Sequence, residues 1–391
     1  MKNYDFDKVT DRRGTSCLKY DFAVERGHAE DCLPFWVADM DFPCPEEVTA
    51  ELIRRSQHGI FGYTDVKEDY TEVLRQWFQQ HHQWTPAKGS LLVTPGVVYA
   101  LCTAVRAFSE PGDAVLIQRP VYYPFSSAIT ENGRRLVNSP LVFKDGKYHM
   151  DFTDFEQTII REKVKLFLLC NPHNPVGRVW TKAELEQIGE ICLRHQVLVV
   201  SDEIHQEFIR QGHIHTVFAG IKPEFSQITI TCTAPSKTFN LAGLQISNIF
   251  IENKELLLRF RKEVWTSGYS QPNALGMFAC QAAYAQGADW LRQVKDYIEM
   301  NLQKTKRFLQ EELPEVTLVE PEGTYLIWLD LRRLHLSDQE ISVRINEKAN
   351  IWLDEGKIFG PEGEGFQRIN IACPWVVLEE GLKRLKTALT E

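Results

Sequence analysis

Two stretches decide the fold: Val164-Lys-Leu-Phe-Leu-Leu-Cys-Asn-Pro-His-Asn-Pro175 and Val197-Leu-Val-Val-Ser-Asp-Glu-Ile-His205. Each is a short apolar run that stops abruptly at polar residues. Between them, Thr181–His195 has helical spacing, and Thr181 with Glu184 forms a T-x-x-E capping box that marks its start. Runs that are apolar at successive positions suit strands buried on both faces. Strand, helix and strand in that order suit a parallel pair with a crossover. Val115–Ile117, Ile228–Thr231 and Ile246–Ile251 repeat the strand pattern. Val97, Leu101, Ala104, Val105 and Phe108 fall on one face of a helix over Val97–Phe108. The expected fold class is α/β, a mostly parallel central sheet between helices.

Further along, Trp290, Val294, Tyr297, Ile298 and Leu302 predict a long helix opening the last third. Tyr325–Leu331 and Phe366–Ala372 read as strands of a smaller α/β unit. The expected division is a large domain over 45–285 and a small domain built from 1–44 and 286–391. The chain has 391 residues, 43% hydrophobic and 25% charged, which is globular usage rather than disorder or coiled coil. Its formal net charge of −9 argues against a nucleic-acid partner. No run reaches the roughly 18 apolar residues of a membrane span. Met1–Asp11 is polar, so no secretory signal is expected. The nine cysteines are odd in number and lack any C-x-x-C spacing, which points to free thiols in a reducing compartment, the cytoplasm. Cys102, Cys170, Cys192 and Cys280 are read as buried thiols. His213 and His215 are read as surface histidines, and no metal is expected.

Ligands of open parallel sheets bind beyond the carboxyl ends of the strands. Three polar clusters fall there: Asn171 to Pro175, Asp202 to His205, and Ser236-Lys237. Lys237 stands among small and apolar residues. Partial burial would lower its pKa and free a neutral amine to condense with an aldehyde, whereas a lone loop lysine is simply solvated. Asp202, at the tip of a buried strand, suits a protonated pyridine nitrogen or caps the turn that follows. Prolines on both sides aim Asn174. Thr94-Pro95-Gly96 leads into the helix at Val97, whose first N–H groups can hold a phosphate. Tyr122 or Tyr123 can stack on an aromatic ring or merely pack. Arg368 and Asn370 face one way on their strand. Arg368 there suits either a bidentate carboxylate or a salt bridge at a sheet edge.

The order Tyr63, Gly96, Tyr122, Asn174, Asp202, Lys237, Arg368 resembles the site order of fold-type I pyridoxal-phosphate enzymes of the class I/II aminotransferase superfamily. Four motifs narrow the resemblance to the MalY/PatB-type carbon–sulfur lyases, the cystathionine β-lyase and cysteine desulfhydrase group. They are Pro34-Phe-Trp-Val-Ala-Asp-Met-Asp-Phe42, Phe61-Gly-Tyr-Thr64, Ser201-Asp-Glu-Ile-His205 and Pro235-Ser-Lys-Thr-Phe-Asn-Leu-Ala-Gly-Leu244. The match runs from near residue 4 to the C-terminal segment.

The resemblance implies pyridoxal 5′-phosphate as cofactor. It implies that Lys237 forms the Schiff base and moves the substrate α-proton, that Asp202 pairs with the pyridinium nitrogen, and that Tyr122 stacks on the ring. Asn174 is implied to bond the ring 3′-oxygen. Gly96, Val97, Val98 and Ser236 are implied to hold the phosphate, and Tyr63 to reach the phosphate of a neighbouring subunit in a homodimer with shared sites. Arg368 is implied to bind the substrate carboxylate, with Asn174 and the backbone at Val37 and Ala38. His205 stands where aminotransferases carry Tyr, Gln245 where they carry a phosphate-binding Arg, and Ala234 where Ser is frequent. His205 is taken as a site residue. The implied reaction is β-elimination from an amino-acid substrate, L-cystathionine or another cysteine S-conjugate, giving pyruvate, ammonia and a thiol. The alternatives are a class I/II aminotransferase and a cofactor-binding regulatory protein.

Overall fold

A computed structural model describes residues 2–390. Its central sheet has seven strands: β1 Leu91–Thr94, β2 Ala114–Ile117, β3 Arg135–Asn138, β4 Leu166–Cys170, β5 Leu198–Asp202, β6 Thr229–Thr233 and β7 Ser247–Phe250. They lie in the order β1-β7-β6-β5-β4-β2-β3. The four pairings from β6 to β3 are parallel, and β7 runs antiparallel to both of its neighbours. β2, β4 and β6 are buried at every position, as strands covered on both faces must be.

Helix α1, Val97–Phe108, has the expected bounds and buries all five residues of the expected face. Helix α2, Lys182–Arg194, starts at a complete capping box in which Thr181 and Glu184 bond each other's backbone N–H. Strand bounds shift by no more than two residues from expectation. Val164, for instance, precedes β4, and β5 continues through Asp202. That last shift matters, because it places the carboxylate on the strand itself.

Helix α3, Ala288–Glu312, buries Trp290, Val294, Ile298 and Leu302 and leaves Tyr297 part-exposed, its hydroxyl donating to Asp7 at 2.6 Å. A second, antiparallel sheet follows: β8 Thr317–Val319, β9 Leu326–Asp330, β10 Asp354–Glu355 and β11 Phe366–Asn370, in the order β8-β9-β11-β10. The chain ends meet where Leu33–Pro34 pairs in parallel with Ile351–Trp352. These elements lie in 1–44 and 286–391, the segments we propose as the small domain beside a large domain over 45–285.

Candidate active site

The register of the central sheet builds the site. Cys170 pairs with Asp202, and Asp202 with Cys232, so β4, β5 and β6 end level. Their exits therefore bring Asn174, Asp202 to His205, and Lys237 to one place. After β6 the chain enters a one-turn helix, Pro235–Thr238, with Pro235 at its first position, where a missing N–H costs nothing. A cavity of about 150 Å³ opens here. Its lining includes Ala38, Gly96, Val97, Val98, Tyr122, Asn174, Asp202, His205, Ser236, Lys237 and Gln245.

Lys237 is part-buried and its Nζ donates to the Ala38 carbonyl at 2.6 Å. Burial lowers its pKa to about 8, with the Asp39 carboxylate opposing the fall and the Arg368 charge adding to it. Asp202 moves the other way. Burial raises it to about 7, against a hydrogen bond from the Ile204 N–H at 3.1 Å. That bond caps the turn after β5, one of the two roles expected of Asp202. His205 is buried, and burial holds its pKa well below the usual imidazole value, helped by the Lys237 and Arg368 charges. Its Nδ1 has no hydrogen-bond partner among the described residues. A neutral imidazole with an unpaired nitrogen, a cationic partner's carboxylate and an uncapped helix start together fit a phosphorylated, protonated pyridine. At that start the Ala100 N–H returns to the Gly96 carbonyl at 3.1 Å, and no side chain caps the first turn.

Arg368 on β11 is 2% exposed. Its Nη1 donates to Asn174 Oδ1 at 2.9 Å and its Nη2 to the Trp36 carbonyl at 2.6 Å. Asn370, on the same face, donates to the Val37 and Asp39 carbonyls at 2.8 and 2.6 Å. The two side chains share a face, as strand alternation predicts, and that face meets segment 36–39. The Ala38 carbonyl is spent on Lys237 and on the Tyr325 hydroxyl, at 3.0 Å. The segment is held from outside by a buried ion cluster. Arg12 donates to Asp39 and Asp41 at 2.7 Å each, and buried Lys19 reaches Asp41 at 2.9 Å.

Tyr122 lines the cavity, and its N–H donates to the Asn174 carbonyl at 2.9 Å. Burial pushes its hydroxyl pKa up. Gln245 takes the expected arginine's place with a left-handed φ of 48°. Tyr63 is 97% exposed and lines a separate depression with Phe61, Gly62 and Ser270, away from Lys237's cavity in this chain.

Two expectations need correction. His215 is buried, not a surface residue, with Nε2 2.8 Å from Glu203 Oε2; a carboxylate on the neighbouring segment draws it inside. Cys102 is only part-buried, because it lies toward the outer side of α1. All nine cysteines are free, and no metal-binding group of three occurs among the described residues. Sequence reasoning missed Tyr325, Asp354 and the Arg12–Lys19–Asp41 cluster. The signal for Asp354 was present: like Asp202, it is a carboxylate ending an apolar run, Ile351-Trp-Leu.

Residues 30–385 match the family described as aminotransferase class I and II. The chain belongs to that family. Among curated relatives, cystathionine β-lyase PatB of Bacillus subtilis (strain 168) is 45% identical over 386 residues, which cover 99% of this chain and 100% of the relative. Among solved structures, cystalysin from Treponema denticola, which contains a pyridoxal 5′-phosphate cofactor, superposes with a TM-score of 0.96. It is 39% identical, covering 100% of this chain and 99% of that one. The PLP-bound carbon–sulfur lyase from Staphylococcus hominis gives a TM-score of 0.93 at 35% identity, covering 100% of this chain and 99% of that one. Members of the family with this fold are pyridoxal-phosphate enzymes.

Proposed function

We propose that this chain is a pyridoxal-phosphate-dependent carbon–sulfur β-lyase. It acts on cysteine S-conjugates such as L-cystathionine and releases pyruvate, ammonia and a thiol. One observation carries the reading. Lys237 and Asp202 line one cavity with Asn174, to which Arg368 donates at 2.9 Å, in a chain 45% identical along its length to a cystathionine β-lyase.

When bound, the cofactor supplies an aldehyde for the substrate amine and a protonated ring that accepts the electron pair left at the α-carbon. The residues of this chain do the rest. Asp202 holds the proton on the ring nitrogen, and its own burial strengthens that pairing. The α1 N-terminus at Gly96 to Val98, with Ser236, holds the phosphate. Tyr122 would pack against the ring, and Asn174, which already accepts from Arg368, would bond the ring oxygen. Arg368 orients the substrate through its α-carboxylate, which fixes the α-carbon for proton transfer. Lys237, neutral near its lowered pKa, takes the α-proton at Nζ. The β-thiolate then leaves, and the remaining enamine hydrolyses to pyruvate and ammonia. Ile204, Ile246 and Ala242 give the cavity part of its apolar lining.

We further propose a homodimer in which Tyr63 of one copy completes the other copy's phosphate site. Its nearly full exposure beside Ile60 and Phe61, at 74% and 63%, supports that reading. Cytoplasmic residence is part of the same proposal, supported by nine unpaired thiols. The test is thiol release from L-cystathionine by the cofactor-loaded protein with no second substrate. Continuous release is expected; none at any enzyme concentration would overturn the reading.

A further inference from the structure

The arginine assigned to the substrate carboxylate already holds a carboxylate. Asp354 stands directly opposite Arg368 in the antiparallel register of β10 and β11. Its Oδ2 accepts from Nη2 of Arg368. The same Nη2 donates to the Trp36 carbonyl at 2.6 Å, while Nη1 donates to Asn174. Nε is buried and has no partner among the described residues.

A guanidinium Nη carries two hydrogens, so both on Nη2 are committed. A guanidinium can grip a carboxylate with two prongs in two ways. The end fork uses Nη1 and Nη2; the side fork uses Nη2 and Nε. Both need Nη2. A substrate carboxylate therefore gains a fork only if Trp36 or Asp354 lets go. The Trp36 carbonyl is backbone, held by the Phe35 N–H bond to Trp352 at 2.8 Å. Asp354 is a side chain that can rotate. Retaining it beside a second carboxylate would bury two anions on one cation, at positions 7% and 2% exposed. Burial also pushes the Asp354 carboxyl up, so a displaced group can take a proton rather than stay charged.

We propose that Asp354 is a competing carboxylate: it occupies Arg368 until the α-carboxylate of the substrate displaces it, and so sets the affinity for amino acids. The proposal rests on the reading of Arg368 as the substrate-carboxylate site. Asp354 then acts through Arg368 as a specificity-determining residue. Every ligand that brings a carboxylate bears the cost of displacing it, and a ligand without one does not.

The test is calorimetric titration of the cofactor-loaded protein with glycine and with methylamine. Glycine carries the α-carboxylate but no group to expel; methylamine carries only the amine. Asp354→Asn should bind glycine about ten-fold more tightly than the wild type, equivalent to ~1.4 kcal/mol, and methylamine unchanged within about two-fold. Asp354→Ser should show the same pattern, so a folding defect in one variant leaves the other to decide. Unchanged or weaker glycine binding would overturn the proposal, because a merely orienting Asp354 loses affinity when removed. A methylamine shift of equal size would also overturn it. Arg368→Ala should erase the preference for glycine. If that preference survives, the reading of Arg368 falls and this proposal with it. If wild-type protein binds glycine as described yet releases no thiol from L-cystathionine, the lyase reading alone fails.

Discussion

Take the cofactor-free protein from about pH 6 to about pH 10 and follow its capture of pyridoxal 5′-phosphate by visible absorbance. Only the neutral amine of Lys237 attacks an aldehyde, so the rate tracks its deprotonated fraction. Burial takes Lys237 from its ordinary 10.5 down to about 8. At about pH 7 roughly 10% of the amine is then neutral, against roughly 0.03% for an ordinary lysine, a gain of about 300-fold. The sign follows from the charge. Below about pH 8 each unit of acidification should slow capture about ten-fold, and above it the rate should level off. The cofactor titrates too, so each rate is divided by that of Nα-acetyl-lysine, whose amine titrates near ~10.4. Lys237→Arg gives the blank. A normalised rate that is flat below about pH 8 and falls about ten-fold per unit above it supports a desolvated Lys237. A rate that stays parallel to the free amine up to about pH 10 would refute it and leave Lys237 an ordinary solvated lysine.

Three further outcomes follow from the same geometry. In the cofactor-free protein, Asp202 binds a proton up to about pH 7 when folded but only to about 3.8 when unfolded. The folded state thus holds more protons across that window, and stability should fall as pH rises through it, by up to about 4 kcal/mol. Asp202→Asn should flatten that loss in thermal unfolding, and should cost the loaded enzyme roughly 10²-fold in kcat. Arg368→Lys, which replaces a fork with a point charge, should raise KM for L-cystathionine roughly 10- to 100-fold with a smaller effect on kcat; an unchanged KM would remove Arg368 from the carboxylate site. Tyr63→Ala and Lys237→Ala should each inactivate the protein, yet hybrids of the two should regain activity, because one of their two sites keeps both groups. Hybrids that stay dead would place Tyr63 in its own subunit's site.

The candidate site residues were legible where local pattern alone fixes position. Lys237, Asp202 and Asn174 follow apolar runs that can only be buried parallel strands, and such strands deliver their next residues to the ligand side of the sheet. The register that levels β4, β5 and β6 was not legible, because it depends on helices packing over both faces. Neither was the fate of His215. Two histidines spaced by one residue in a polar stretch read as surface residues, but Glu203 draws His215 inside. The latch on segment 36–39 joins residues 12 and 19 to 39 and 41, and no periodicity marks an ion pair across a loop. Asp354 shows the remaining gap. A carboxylate closing an apolar run is the same signal that singled out Asp202, but only the pairing of β10 with β11 reveals that its partner is Arg368.

Elimination and amino transfer share the removal of the α-proton and part afterwards, when either the β-thiolate or the amino group is lost from the substrate. The deciding measurement is a single incubation of the loaded protein with L-cystathionine, with and without 2-oxoglutarate, in which pyruvate and glutamate are both quantified. A β-lyase makes pyruvate at the same rate in both and forms no glutamate. Glutamate appearing with 2-oxoglutarate, and no pyruvate without it, would contradict the account and make the protein an aminotransferase.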